Sequence, residues 1–249
     1  VEVRKGSSQV PYGPSTTGGV VNFLSTPIPA ENSGKLQLMV GEYGTGKVHG
    51  WYGGSTERVG WLLETFQHQS DGYKVIDGRA ARHDDRFQQD KTGFDRSDWL
   101  AKLRFNTSPR AAFYQELEFK AGRSDEYSDE TYLGLTQADF DAKSNRRYAS
   151  SAYDNIDVDQ TQFSARYFAR PLSWLDVNAR VYRQDVHRNW YKLNDVRNSA
   201  NTGWVGISSV LADPVTYADQ YKMLTGDSNT ANGLRVRANN RKYVSQGVQ

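Results

Sequence analysis

The sequence predicts an all-β chain, an antiparallel sheet of about seven or eight strands, each with one apolar and one polar face. Three observations carry this. From Lys35 onward, side chains alternate in polarity with the period of a two-faced strand. Tight turns alternate with long polar connections, so the strands pair as hairpins. No run of about 18 apolar residues is present, which excludes a transmembrane helix. The mean hydropathy of −0.76 leaves a membrane barrel open, because barrel strands alternate lipid-facing and lumen-facing residues.

The first stretch, Val1 to Pro29, differs from the rest. A short strand around Glu2 and Val3 carries Arg4 and ends at Gly6; Tyr12-Gly13 follows between Pro11 and Pro14, and Gly18-Gly19 opens into Val20-Val21-Asn22-Phe23. Glycines at these places permit positive φ and close backbone approach, and the prolines stiffen the turn. Pro27 and Pro29 then stop the strand and begin a linker. On these grounds alone a Gly-rich hairpin of a soluble β protein fits equally well. The chain has no initiator methionine and no charged-then-apolar leader, which reads as a fragment or a processed chain.

The strands follow in order. Leu36, Leu38 and Val40 alternate with Lys35, Gln37 and Met39; after the Gly44-Thr45-Gly46 link, Val48 to Ser55 forms a weaker, Gly-rich strand. Thr56-Glu57-Arg58 turns into Val59, Trp61, Leu63 and Thr65 on one face. Trp99, Ala101, Leu103 and Phe105 oppose Asp98, Lys102, Arg104 and Asn106; beyond Ser108-Pro109-Arg110, Leu117, Phe119 and Ala121 oppose Glu116, Glu118 and Lys120. The third hairpin sets Phe163, Ala165, Tyr167 and Ala169 against Ser164 and Arg166, turns at Pro171-Leu172-Ser173, and continues with Leu175, Val177, Ala179 and Val181 against Asp176 and Arg180. Asp213 as N-cap, Pro214 at the first position and Gly226 past the end predict a helix over Val215 to Leu224, and Asn240 to Val248 starts another strand.

The long connections run from Ser70 to Arg96, from Arg123 to Asp159 and from His187 to about Asn240. Loops of more than about 15 residues are uncommon in compact soluble domains, whereas short turns at one end and long loops at the other are routine in outer-membrane barrels. A soluble sandwich with large loops on one side remains the alternative.

The chemistry-bearing patterns are sparse. Cysteine is absent, which excludes disulfides and thiolate metal sites. With 31 basic and 29 acidic residues, binding to nucleic acid through bulk charge is disfavoured. Gly41 to Gly46-Lys47 has a P-loop outline, but Val48 stands where Ser or Thr is needed and no helix follows, so it reads as a hairpin loop. His49, His68, His83 and His187 lack zinc spacing, and His83-Asp84-Asp85 reads as a solvated loop. The acidic run Asp125 to Glu130 holds carboxylates of the kind a glycosidase uses, without any sign of the required separation.

Glu2-Val3, Gly6, Tyr12-Gly13 and Gly18-Gly19-Val20-Val21-Asn22-Phe23, followed by a barrel-like pattern, resemble the end of the plug domain of a TonB-dependent outer-membrane transporter. Within that family the chain is most similar to the ferric citrate group, through Leu135 to Ala142, Val181 to Tyr191 and Arg241 to Gly247. The resemblance implies residues 1–29 as the end of the plug and residues 30–249 as the first strands of a transmembrane β-barrel of about 22 strands. It implies a Gram-negative outer-membrane receptor for a ferric chelate, without enzymatic activity or cofactor, whose partners are the chelate, outer-membrane lipid and a TonB complex acting through a segment not in this chain. Ferric citrate is anionic, so arginines are the expected ligands. Arg241 aligns with a ligand arginine; Arg188 aligns with another if one residue is inserted, and otherwise His187 takes its place. Arg4 resembles a plug arginine that pairs with barrel glutamates. The competing classes are a passive porin, which would share the barrel and lack the first stretch, and a soluble carbohydrate-binding or carbohydrate-active β protein.

Overall fold

A computed structural model describes residues 1–5, 19–77, 92–228 and 231–249. Gly6, Tyr12, Gly13, Gly18 and His83 of the patterns above lie outside the described residues.

Two short strands open the chain: β1 (Glu2–Arg4) pairs antiparallel with β2 (Val20–Asn22), and Val3 faces Val21. The main sheet is an antiparallel meander of β3 (Ser33–Val40), β4 (Gly46–Ser55), β5 (Val59–Ser70), β7 (Phe94–Asn106), β8 (Tyr114–Ser128), β10 (Asn155–Leu172), β11 (Leu175–Arg197) and β13 (Leu234–Val248). A ninth strand, β12 (Trp204–Gly206), pairs with Asp195 to Arg197 of β11, beyond the place where β10 ends. The sheet is open, with β3 and β13 at its edges among the described residues. A small parallel pair, β6 (Val75–Ile76) with β9 (Arg146–Arg147), joins two of the long connections.

Register places the alternating residues as the polarity pattern requires. Trp61, Leu103, Phe119, Ala165, Val181 and Val248 form one continuous row across six strands, and Leu62, Lys102, Lys120, Ser164 and Tyr182 form the adjacent row on the opposite face. The apolar face carries large exposed side chains: Leu38 is 66% exposed, Leu63 60% and Trp99 57%. A hydrophobic face this extensive and uncovered marks an interaction surface.

Three details depart from the sequence reading. Strands run past the apolar alternation: β8 reaches Ser128, β10 begins at Asn155 and β11 is 23 residues long. Above the apolar rows both faces are polar, so ladder hydrogen bonds and cross-strand pairs such as Arg96 with Glu126 hold the strands there. The third hairpin turns at Ser173-Trp174, because Pro171 and Leu172 still belong to β10, with a register irregularity after Ala169. The predicted helix is present with a later start, as α3 (Ala218–Thr225), and a short helix that was not predicted, α2 (Ile207–Ala212), precedes it. Asp213 ends α2 and starts the next turn, accepting the Thr216 N–H at 3.0 Å; Gly226 at φ +88° closes α3 as expected.

The long connections pack into a cap at the far end of the sheet. Leu133, Tyr148, Leu193, Val196, Val210 and Leu224 are its buried core. It also contains α1 (Gln137–Ala142), capped by Thr136, and a 3-10 turn at Ala149–Tyr153.

Candidate functional site

The linker and the polar face of the sheet meet through specific hydrogen bonds. The chain leaves β2 at Asn22 and crosses that face as far as Asn32. The Thr26 hydroxyl donates to Glu64 Oε1 at 2.9 Å, Lys102 Nζ donates to the Thr26 carbonyl at 2.7 Å and the Ser55 hydroxyl donates to the Pro29 carbonyl at 2.6 Å. His49 Nε2 lies 2.8 Å from the same Glu64 oxygen, and Arg104 donates to Ser55 at 3.0 Å. The Gly-rich strand β4 makes the approach possible. A Cβ at Gly53 would fall 2.9 Å from the Pro29 ring, closer than side chains tolerate. The weak strand propensity of residues 50–54 is therefore the condition for seating the linker.

The plug-like residues in the described part form a small cluster of their own. Asn22 donates to Glu2 at 3.3 Å, and Arg4 lies 3.8 Å from the Glu2 carboxylate. Gly19 sits at φ +149°, with its Cβ position 2.9 Å from the Arg4 carbonyl. The structure brings Glu2, Arg4, Gly19 and Asn22 together.

Higher on the polar face, Arg188 of β11 stands directly opposite Arg241 of β13. His187 faces the other way, with Asn240 Oδ1 at 2.8 Å and Asp159 at 3.9 Å. Arg188 thus shares a row and a face with Arg241, and His187 does not. Like charges placed directly opposite destabilise a sheet, and neither guanidinium has a carboxylate partner among the described residues. Arg188 Nε is buried without a hydrogen-bond partner, and its guanidinium lies 5.8 Å from the Trp190 ring centre. Arg241 reaches only the Tyr243 hydroxyl, at the 3.5 Å limit.

Beside the arginines stands an aromatic wall that sequence reasoning missed. Tyr132 and Trp190 have ring centres 5.0 Å apart, and Lys192 Nζ lies 5.5 Å from the Tyr132 ring. Burial, followed by the Glu130 and Asp154 charges, pushes the Tyr132 phenol up to about 12. The signal was present in β11: Tyr182, Gln184, Val186, Arg188 and Trp190 continue one face by the period of two beyond the apolar stretch. Tyr132 lies in an irregular segment and carried no such mark.

The cap is fastened around Asp139. Its Oδ2 accepts from Tyr148 at 2.6 Å, from Thr136 at 2.7 Å and from Tyr221, and its Oδ1 accepts from Arg146. Burial favours the protonated form, but the donors Tyr148, Tyr221 and Thr136 and the Arg146 charge outweigh it and hold this carboxyl below its usual range. Arg146 also binds Asp77. Asp154, buried at the entry to β10, accepts the Leu193 N–H at 2.7 Å, and burial still pushes its carboxyl up to about 6.

The remaining sequence patterns resolve simply. Gly41 to Thr45 is a hairpin turn closed by the Gly41 N–H on the Thr45 carbonyl at 2.8 Å, and Lys47 continues into β4. Asp125 and Glu126 point to opposite faces of β8, where Arg123 and Arg96 respectively bind them, so the acidic run does not converge. Comparison with family models, with curated proteins and with solved structures gives no match.

Proposed function

We propose that this chain is the end of a plug and the first strands of the barrel of a TonB-dependent outer-membrane receptor for a ferric chelate. The observation that carries the reading is the division of labour between the two faces of one antiparallel sheet. Its apolar face is exposed, whereas its charged face is bonded to the linker at Thr26 and Pro29. That is the polarity of a barrel with lipid outside and a plug inside, and the reverse of a protein whose sheet packs on a core. Trp99 to Phe105 extends roughly 20 Å at about 3.4 Å per residue, the scale of the roughly 25 Å apolar band of such barrels.

On this reading the cap faces the exterior, and Arg188 and Arg241 present their charges to an anionic chelate through charge-assisted hydrogen bonds. Two arginines held opposite each other without a carboxylate gain most from such a ligand. Uptake then needs loop movement and plug rearrangement driven by TonB, with no covalent chemistry.

Binding of a panel of ferric chelates to the detergent-purified receptor, followed by fluorescence quenching, tests the reading. Arg188→Ala and Arg241→Ala are each expected to weaken ferric citrate binding by about tenfold or more, while His187→Ala leaves it unchanged. Tight binding of another chelate, indifferent to both arginines, keeps the receptor and discards this site. A protein that binds no chelate and stays monodisperse without detergent overturns the reading.

A further inference from the structure

Below the Arg188–Arg241 row, beneath the linker, the polar face and residues 22–28 enclose a cleft of ≈ 530 Å³. Five basic side chains, Lys102, Arg104, Lys120, Arg166 and Arg180, line it with two carboxylates, Glu116 and Glu118. Arg166 bonds Glu116, with Nη2 2.6 Å away, whereas Glu118, 3.8 Å from the same nitrogen, also attracts Lys102 and Lys120. Lys102 spends its ammonium on a neutral carbonyl, and Arg104 bonds a hydroxyl while its Nε is buried without a partner. Lys120 and Arg180 have no side-chain hydrogen bond or ion pair among the described residues, and each acts on the other as a like charge.

The chain's own first stretch does not supply the missing negative charge. Between Val1 and Asn32 the only carboxylates are Glu2 and Glu31. Glu2 is taken up by Asn22 and Arg4, and Glu31 is exposed at the start of the sheet. Lys102 is buried, Arg104, Lys120 and Arg166 are half-buried and Arg180 is exposed; five cations face two carboxylates, an excess of positive charge that an entering anion offsets.

We propose that this cleft is a second anion subsite, in which Lys120 and Arg180 hold a multiply charged carboxylate ligand after it leaves the upper arginine pair. The proposal rests on the receptor reading for its direction of travel; occupancy of the cleft does not depend on it. Arg188, Lys120 and Arg180 share the polar face, so the two sites lie along one wall. The linker covers the lower one: its bonds to Glu64, Lys102 and Ser55 have to break before the cleft opens fully.

Equilibrium dialysis of ferric citrate against the detergent-purified receptor reads both sites. The wild type is expected to show a tight component and a weaker one that fades with salt. Lys120→Gln combined with Arg180→Gln should remove the weaker component, by about tenfold or more in its affinity, and leave the tight one. Lys120→Arg, which keeps the charge, should retain both and controls for folding. Arg188→Ala should have the opposite effect, weakening only the tight component. Absence of the weaker component in the wild type, or its survival in the double variant, overturns the subsite. A weaker component without any tight one leaves the subsite standing and removes the upper site instead.

Discussion

In the sheet, large apolar side chains such as Leu38, Leu63 and Trp99 are exposed. In the cap, segments drawn from two connections close around Leu224, Val196 and Val210, which are fully buried. One chain thus folds by two opposite rules. The cap is assembled as water requires, with apolar groups inside and the Asp139 carboxylate satisfied by four donors. The sheet leaves its apolar face exposed and bonds its charged face to the linker, the arrangement that the proposed barrel reading explains. The difference teaches that the strand alternation alone does not say which face another part of the chain covers; the linker bonded to the charged face does.

The strongest way to break this comparison is to open the cap core. Leu224→Ala is expected to cost about 4 kcal/mol of local stability, with faster hydrogen exchange in residues 133–154 and 204–225 and unchanged exchange in Trp99 to Phe105. Equal acceleration in both would show that the two regions are one cooperative unit. On the proposed barrel reading, Leu103→Arg, in the middle of the apolar face, should cost about 3 kcal/mol when the protein folds into lipid vesicles, whereas Thr161→Arg, on the same face above the apolar rows, should cost little. A denaturant titration in vesicles compares them, and equal costs would remove lipid from the account of that face.

Asp154 sharpens the comparison through pH. Its folded-state carboxyl is raised to about 6, so the folded cap binds this proton more tightly than the unfolded chain does. The contribution of Asp154 to cap stability is therefore full below its unfolded pKa of about 4 and is lost, by about 3 kcal/mol, as pH rises from there through about 6. Exchange rates of cap amides should rise over that window in the wild type and stay level in Asp154→Asn, while sheet amides show neither change. Smallest of all, Thr26→Val removes one linker bond and is expected to cost about 1 kcal/mol. It should be visible as greater proteolytic sensitivity near Ser25 rather than as loss of the sheet.

Much of the sheet was legible because its strands obey one period over a long stretch. Leu36 to Val40, Trp99 to Phe105 and Leu175 to Val181 occupy the faces their alternation assigns. The cap core was not legible, since Leu133 and Tyr148 come from irregular segments and Val210 and Leu224 from two short helices, with no common period, and they meet where the sheet brings the connections to one end. Arg188 and Arg241 were visible as individual residues. Their pairing, and the turning away of His187, follow from the register of β11 with β13, which sequence spacing does not contain. Asp213 set the start of α3 too early, because an N-cap signature and a turn signature are chemically the same, a short carboxylate accepting a nearby N–H.

With the cap facing the exterior, as proposed, the Asp139 junction bears on how the cap is recognised. Asp77, the stretch from Thr136 to Tyr148, and Tyr221 belong to three separate connections, yet hydrogen bonds through Asp139 and Arg146, with the β6–β9 pair, fix them against one another. An antibody or a phage that grips this surface reads a composite of all three, so a synthetic peptide copied from any single loop would make a poor immunogen. Asp139→Asn, by loosening the junction, would erase the composite epitope while leaving every linear one in place.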